Sequence, residues 1–232
     1  MEPIPGSKNT YVGQFFEELT HRIIGGELLR DEHGDLTLWN ESLVVEVKSS
    51  GYQSSYGFRL STEQIEGYER MAVFPFDRAW YFLFSYDNPG EKGEDGKRRS
   101  ALKPHIEAPD VHQYLAASVK WGLAVDISLI KAWKDVHPHS TKSVMGHLGV
   151  ETVNLKCRDV YPLTNGGFKE GLRSLGLIPD EFTRLSGRVD TTVQFDLFET
   201  YPVSVPLTVI VPKHERQFAR KLLGKYAETK FK

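Results

Sequence analysis

Apolar residues recur at helical spacing in residues 9–24, NTYVGQFFEELTHRII. Val12, Phe16, Leu19 and Ile23 form one stripe, and Tyr11 and Phe15 widen it. Asn9 or Thr10 supplies a cap, and Gly25-Gly26 ends the helix. A short extended segment, 27–30, leads through the turn DEHGD into a different period. DLTLWN sets Leu36 and Leu38 against Asp35 and Thr37. SLVVEVKSS sets Val45 and Val47 against Val44, Glu46 and Lys48. Asn40-Glu41 turns between the two, predicting a hairpin. Residues 50–60 read as a polar loop, and Ser61 caps a helix over TEQIEGYERMA. AWYFLFSY, 79–86, reads as a strand buried on both faces.

Residues 88–100 have turn and charge composition, and Pro109-Asp110 opens a long helical stretch to about Val136. A polar connection, HPHSTKSVMGH, precedes the strand ETVNLKCRDV. A short helix is predicted from Phe168 to Leu175 between glycines. Two β-like runs broken by proline fill 189–211. From Lys213 the chain reads as a basic helix with a net charge of +5. The pattern predicts an α/β protein with a central mixed sheet flanked by helices and a C-terminal α+β extension. Its expected parts are a core over 1–135 and an extension over 136–232.

Composition narrows the class. The chain has 232 residues, 40% hydrophobic and 26% charged, which suits a folded core and excludes a mostly disordered chain. A single cysteine, Cys157, excludes a disulfide framework and a Cys-rich zinc module. No apolar run approaches the roughly 18–20 residues of a membrane span. The opening MEPIPGSKNT lacks a secretion pattern, so a cytoplasmic protein is expected. The overall charge of −2 conceals an uneven distribution, −7 over residues 1–90 and +5 over 91–232. That fits a carboxylate metal site beside a polyanion-binding surface, or two solvated surfaces of opposite sign.

The chemistry concentrates in Asp35 … Glu46-Val47-Lys48. Two residues apart on a strand, Glu46 and Lys48 point to one face of an otherwise apolar element. Charges there need partners. Asp35 opens the neighbouring strand, where a hairpin brings it beside Glu46. Two carboxylates and a backbone carbonyl make a hard oxygen site suited to Mg²⁺. A lysine beside it can orient water or offset charge on a phosphate. The same residues read structurally are an Asp-Glu-Lys salt-bridge patch.

Three further features accompany them: Glu17-Glu18 on the preceding helix, Asp35 at the head of its strand, and a following helix with Gln64. The order GQFFEEL, GDLTLWN, VVEVKSS, TEQIEGY resembles the PD-(D/E)XK nuclease superfamily, the restriction-endonuclease-like fold. Residues 9–86 look most like archaeal Holliday-junction resolvases, which share the Gly13 to Glu17 spacing and an EVK strand running into a polar loop. Glu18 stands where those proteins carry a basic residue, and DEHG replaces their serine-containing loop. The resemblance implies Mg²⁺, or Mn²⁺ in its place, on Asp35, Glu46 and the Val47 carbonyl. It also implies Lys48 positioning or deprotonating water, Glu17 reaching the metal's water or a second ion, and Gln64 touching a phosphate or orienting Lys48. Family spacing selects Glu17, whereas the apolar stripe favours its neighbour Glu18.

Beside this block, Ser49, Tyr52, Tyr56 and Arg59 offer hydroxyls, rings and a guanidinium for nucleic acid. Lys142 and its neighbours His137 and His139 offer phosphate contacts or a plain loop. Arg216, Arg220 and Lys221 offer a basic helix face. The expected function is a metal-dependent DNA endonuclease acting on branched or structured DNA, as a homodimer. The alternatives are a sequence-specific restriction-type enzyme and a catalytically silent nucleic-acid-binding or assembly protein. Residues 136–232 are expected to serve DNA binding or dimerisation.

Overall fold

The helical stripe at the start of the chain becomes α1 (Lys8–Ile24), with Val12, Phe15, Phe16, Leu19 and Ile23 buried in the core. The computed structural model describes residues 8–31, 34–54, 57–67, 72, 76–90, 93–96, 102, 107–136, 142–145, 150–157, 160 and 186–230. After α1, β1 (Glu27–Asp31), β2 (Gly34–Leu38) and β3 (Leu43–Gly51) form an antiparallel meander. The β2–β3 hairpin turns through a 3₁₀ segment, Trp39–Glu41, and a left-handed Ser42. Strand β4 (Phe58–Ser61) and helix α2 (Thr62–Glu66) follow, the helix capped by Ser61 Oγ.

Strand β5 (Arg78–Tyr86) runs parallel to β3 and is buried at every position after Arg78. Continuous burial selects its unbroken apolar run. The predicted long helix from Pro109 divides instead into α3 (Ala108–Ser118), β6 (Val119–Asp126) and α4 (Ile127–Val136). The segment VKWGLAVD is buried without a break from Trp121 to Asp126, and a short run apolar on all sides carries no period to separate helix from strand. Strand β6 lies antiparallel to β5.

Strand β8 (Val150–Leu155) lies between β4 and β7 (Lys142–Met145) in a three-stranded antiparallel sheet. The helix predicted over 168–175 lies outside the described residues. Strands β9 (Ser186–Leu197) and β10 (Tyr201–Pro212) form one long hairpin, and β10 docks parallel to β6. The prolines that were expected to break these runs do not. The β6 ladder begins at Leu207, so Pro202 and Pro206 lie where β10 has β9 alone as its partner. Helix α5 (Arg216–Lys230) closes the chain.

The result is a mixed seven-stranded sheet in the order β1-β2-β3-β5-β6-β10-β9, flanked by helices. One core lies between the sheet and α1, α3 and α5; the other lies under α2, α4 and the small sheet. The sheet does not divide at residue 135, because two strands from the expected extension complete it. Arg78 ties α5 to the strands: its Nε donates to Glu215 Oε1 at 2.8 Å, and its guanidinium lies 4.7 Å from the centre of the Phe218 ring. Among the described residues no helix is long and apolar enough to cross a membrane.

Gly122 is where the three central strands meet most closely. A Cβ there would stand 2.8 Å from Phe84 Cε1 and 2.9 Å from Leu207 Cδ1. Gly122→Ala is therefore expected to cost about 1–3 kcal/mol through overpacking. Urea unfolding would measure it, with the denaturation midpoint falling and the slope unchanged.

Candidate functional site

The β2–β3 register ends with Leu36 paired to Val45, and just beyond that pair the Glu46 charge acts on Asp35. Backbone pairing between the two strands runs from Leu36 to Leu38, and beyond it the Val47 N–H is taken by a side chain. Asp35 Oδ2 accepts that N–H at 2.6 Å. A strand residue's N–H and C=O leave on the same edge, so the Val47 carbonyl also faces the Asp35 side. Gly34 permits this approach. With φ at +114°, its missing Cβ would lie 2.7 Å from Val44 Cγ2.

Leu43, Val45 and Val47 join the core under α1, while Val44 joins the opposite core. Alternation places Glu46 and Lys48 on the Val44 face. Glu46 is buried, at 6% exposure, and Lys48 Nζ is ion-paired with its Oε1. A buried carboxylate beside a second one needs such a counter-charge.

Asp35 responds to the same crowding. Burial and then the Glu46 charge push its acid form up to about 7, against the Val47 N–H and Lys48, which pull it down. The Glu17 charge adds a smaller upward push from α1. Glu17 folds back over its own helix, its Oε1 lying 3.5 Å from where a Cβ on Gly13 would stand. Glu18 is engaged elsewhere, with Arg22 at 2.9 Å and His21 at 3.7 Å. Of the two adjacent glutamates, Glu17 is thus the one whose charge is felt at Asp35.

Gln64 reaches the same face through a residue that the sequence reading assigned to the core. Tyr81 lies beside Glu46 in the β3–β5 ladder, and its hydroxyl is 3.3 Å from Gln64 Oε1. A hydroxyl within a buried Trp-Tyr-Phe run was the available signal, since a buried phenol seeks a partner.

The expected nucleic-acid contacts are more scattered. Ser49 belongs to β3, which runs to Gly51 where a loop was predicted, and it alternates to the face opposite Lys48. Tyr52 packs against Lys120, whose Nζ lies 5.3 Å from the ring centre. Arg59 is exposed on β4, alternating with the buried Phe58 and Leu60. Lys142 opens β7, in register with Val153. Tyr56, His137 and His139 lie outside the described residues. On α5, Lys221 pairs with Glu41 at 3.2 Å, at the end of the sheet before β3 begins. Cys157 is a packed thiol beneath the Ser50 and Gly51 carbonyls. A cavity of about 600 Å³ opens beside Ile24, Thr37, Trp39 and Leu222, and Asp35, Glu46 and Lys48 do not line it.

No protein-family model, curated protein or solved structure matches the chain. Among the described residues no group of three or more His, Cys, Asp or Glu side chains is arranged to hold a metal ion. The donor set at β2–β3 is of another kind, two carboxylates and a carbonyl edge. Burial and then the Glu46 charge stabilise the acid form of Asp35, and a divalent cation would offset that charge, so hard-cation chemistry fits these residues.

With a chelator present, Asp35→Asn is expected to melt above wild type at pH 8, the gain shrinking toward pH 5. The folded chain holds the Asp35 proton up to about pH 7, against 3.8 for the ordinary side chain. Between those values the folded state binds more protons than the unfolded one, so wild-type stability falls as pH rises. Thermal melts of both proteins across that range check it.

Proposed function

We propose that this protein is a Mg²⁺-dependent endonuclease that hydrolyses DNA phosphodiester bonds, with a restriction-endonuclease-like core and branched or structured DNA as its substrate. The observation that carries the reading is the convergence of Asp35 and Glu46 just beyond the β2–β3 ladder, where Asp35 accepts the Val47 N–H and is acted on by the Glu46 charge, with Lys48 ion-paired to Glu46. The expectation from sequence was that order of residues. What supports it here is that residues eleven apart in the chain converge and perturb one another.

In this reading Asp35, Glu46 and the Val47 carbonyl hold the cation. Bound Mg²⁺ polarises a phosphoryl oxygen and makes water a better nucleophile at neutral pH. Lys48 orients the attacking water and offsets charge on the phosphate, and its ion pair with Glu46 fixes where its ammonium stands. Glu17 contributes negative charge to the same cluster from α1. Arg59 and Lys120 provide positive charge for the DNA backbone, a sequence-independent attraction weakened by salt. A homodimer, placing one site on each of two strands, completes the proposal.

The test is a cleavage panel in Mg²⁺: four-way junction, flap, single strand, linear duplex and RNA, each with wild type, Glu46→Ala and Lys48→Ala. Junction cleavage is expected to fall at least about 10²-fold in both variants. Ca²⁺ is expected to support binding with little cleavage. Defined cuts in linear duplex would make the protein a restriction-type enzyme. Wild-type cleavage no greater than that of Glu46→Ala on every substrate would leave a silent binding protein.

Proton and cation also compete for Asp35. The Mg²⁺ concentration giving half-maximal cleavage is therefore expected to rise as pH falls from about 8 to about 6, because ligands must be deprotonated to bind. A flat dependence would contradict Asp35 as a ligand.

A further inference from the structure

Tyr81 is wholly buried, at 0% exposure, on the face that carries Glu46 and Lys48. Burial and the neighbouring Glu46 charge both favour its neutral phenol. A neutral phenol 3.3 Å from Gln64 Oε1 donates its proton there, because a carboxamide oxygen accepts and cannot donate. A carboxamide has two ends, so holding the oxygen against Tyr81 turns the –NH₂ end away from the ring. Helix α2 keeps the backbone of Gln64 in place: Ser61 Oγ accepts the Gln64 N–H, and Thr62 and Ile65 are buried on either side.

We propose that Tyr81 is a positioning residue: its hydroxyl fixes the Gln64 carboxamide so that the –NH₂ end is presented as a donor to a non-bridging oxygen of the substrate phosphate. The inference rests on the nuclease reading and adds to it a device for recognising the phosphate. Rotated by half a turn, the same amide would offer an oxygen to an anion and repel it. The phenol therefore selects the useful orientation.

A double-mutant cycle of Tyr81→Phe and Gln64→Ala tests it, with two readouts. One is anisotropy of a labelled four-way junction in metal-free buffer; the other is single-turnover cleavage in Mg²⁺. Gln64→Ala is expected to weaken binding about tenfold, the scale of one hydrogen bond to a charged group. Tyr81→Phe is expected to weaken it about threefold, and the double variant to match Gln64→Ala, since coupled residues do not add. Losses that multiply, or a Tyr81→Phe protein that binds like wild type, would overturn the proposal.

Gln64→Glu provides a second arm that leaves Tyr81 and the core intact. It retains an acceptor for Tyr81 and presents an oxygen to the phosphate. Binding at least as weak as Gln64→Ala at unchanged melting temperature is expected; wild-type binding would sink the proposal. Glu46→Ala separates the two levels. Wild type cleaving no better than Glu46→Ala removes the nuclease reading and this inference together. Wild type cleaving well while Gln64→Glu binds like wild type removes the inference alone.

Discussion

One backbone amide organises the site. The Val47 N–H lies past the last backbone pair of β2 and β3, and it is satisfied by the Asp35 carboxylate. A buried amide needs an acceptor, so this bond holds Asp35 close to Glu46 despite their mutual repulsion. Burial and that repulsion hold the Asp35 proton well above the ordinary carboxylate range, and the bond to Val47 opposes them. Lys48 moderates the repulsion, Glu17 intensifies it, and Gly34 makes the chain narrow enough for the bond to exist.

This arrangement draws on the whole sheet. Strand β3 is held on one side by β2 and on the other by β5, whose residues are buried from Ala79 to Tyr86. The central strands therefore form a rigid base, and a constellation mounted on such elements keeps its geometry better than one carried by loops. Glu46 and Lys48 occupy the face of β3 opposite α1, where the long apolar side chains of that helix do not compete for the space.

Much of this was legible in the chain. The alternation in SLVVEVKSS put Glu46 and Lys48 on one face, and the short turn at Asn40-Glu41 made the hairpin that brings Asp35 back to the Glu46–Val47 stretch. The choice between Glu17 and Glu18 was not legible, because it depends on where each glutamate's charge goes after packing. Strand β6 was hidden for a different reason: its WGLAV centre is apolar on every side, and only its neighbours β5 and β10 make it a strand. Pro202 and Pro206 misled because their tolerance is a property of the open flank of β10. Tyr81 was concealed by its aromatic neighbours, since its hydroxyl acquires meaning only when α2 arrives.

The parallel docking of β10 on β6 has a consequence for how the gene product can be divided. Residues 207–210 cover the backbone of residues 122–125, and Val205, Leu207, Val209 and Val211 fill the core beneath α1. A fragment ending near residue 135 would carry Asp35, Glu46 and Lys48 yet present a bare, apolar strand margin to solvent. Such a margin templates pairing with other chains. The last quarter of the sequence is in this sense the built-in guardian of the front half, since its strands close the sheet that the front half begins.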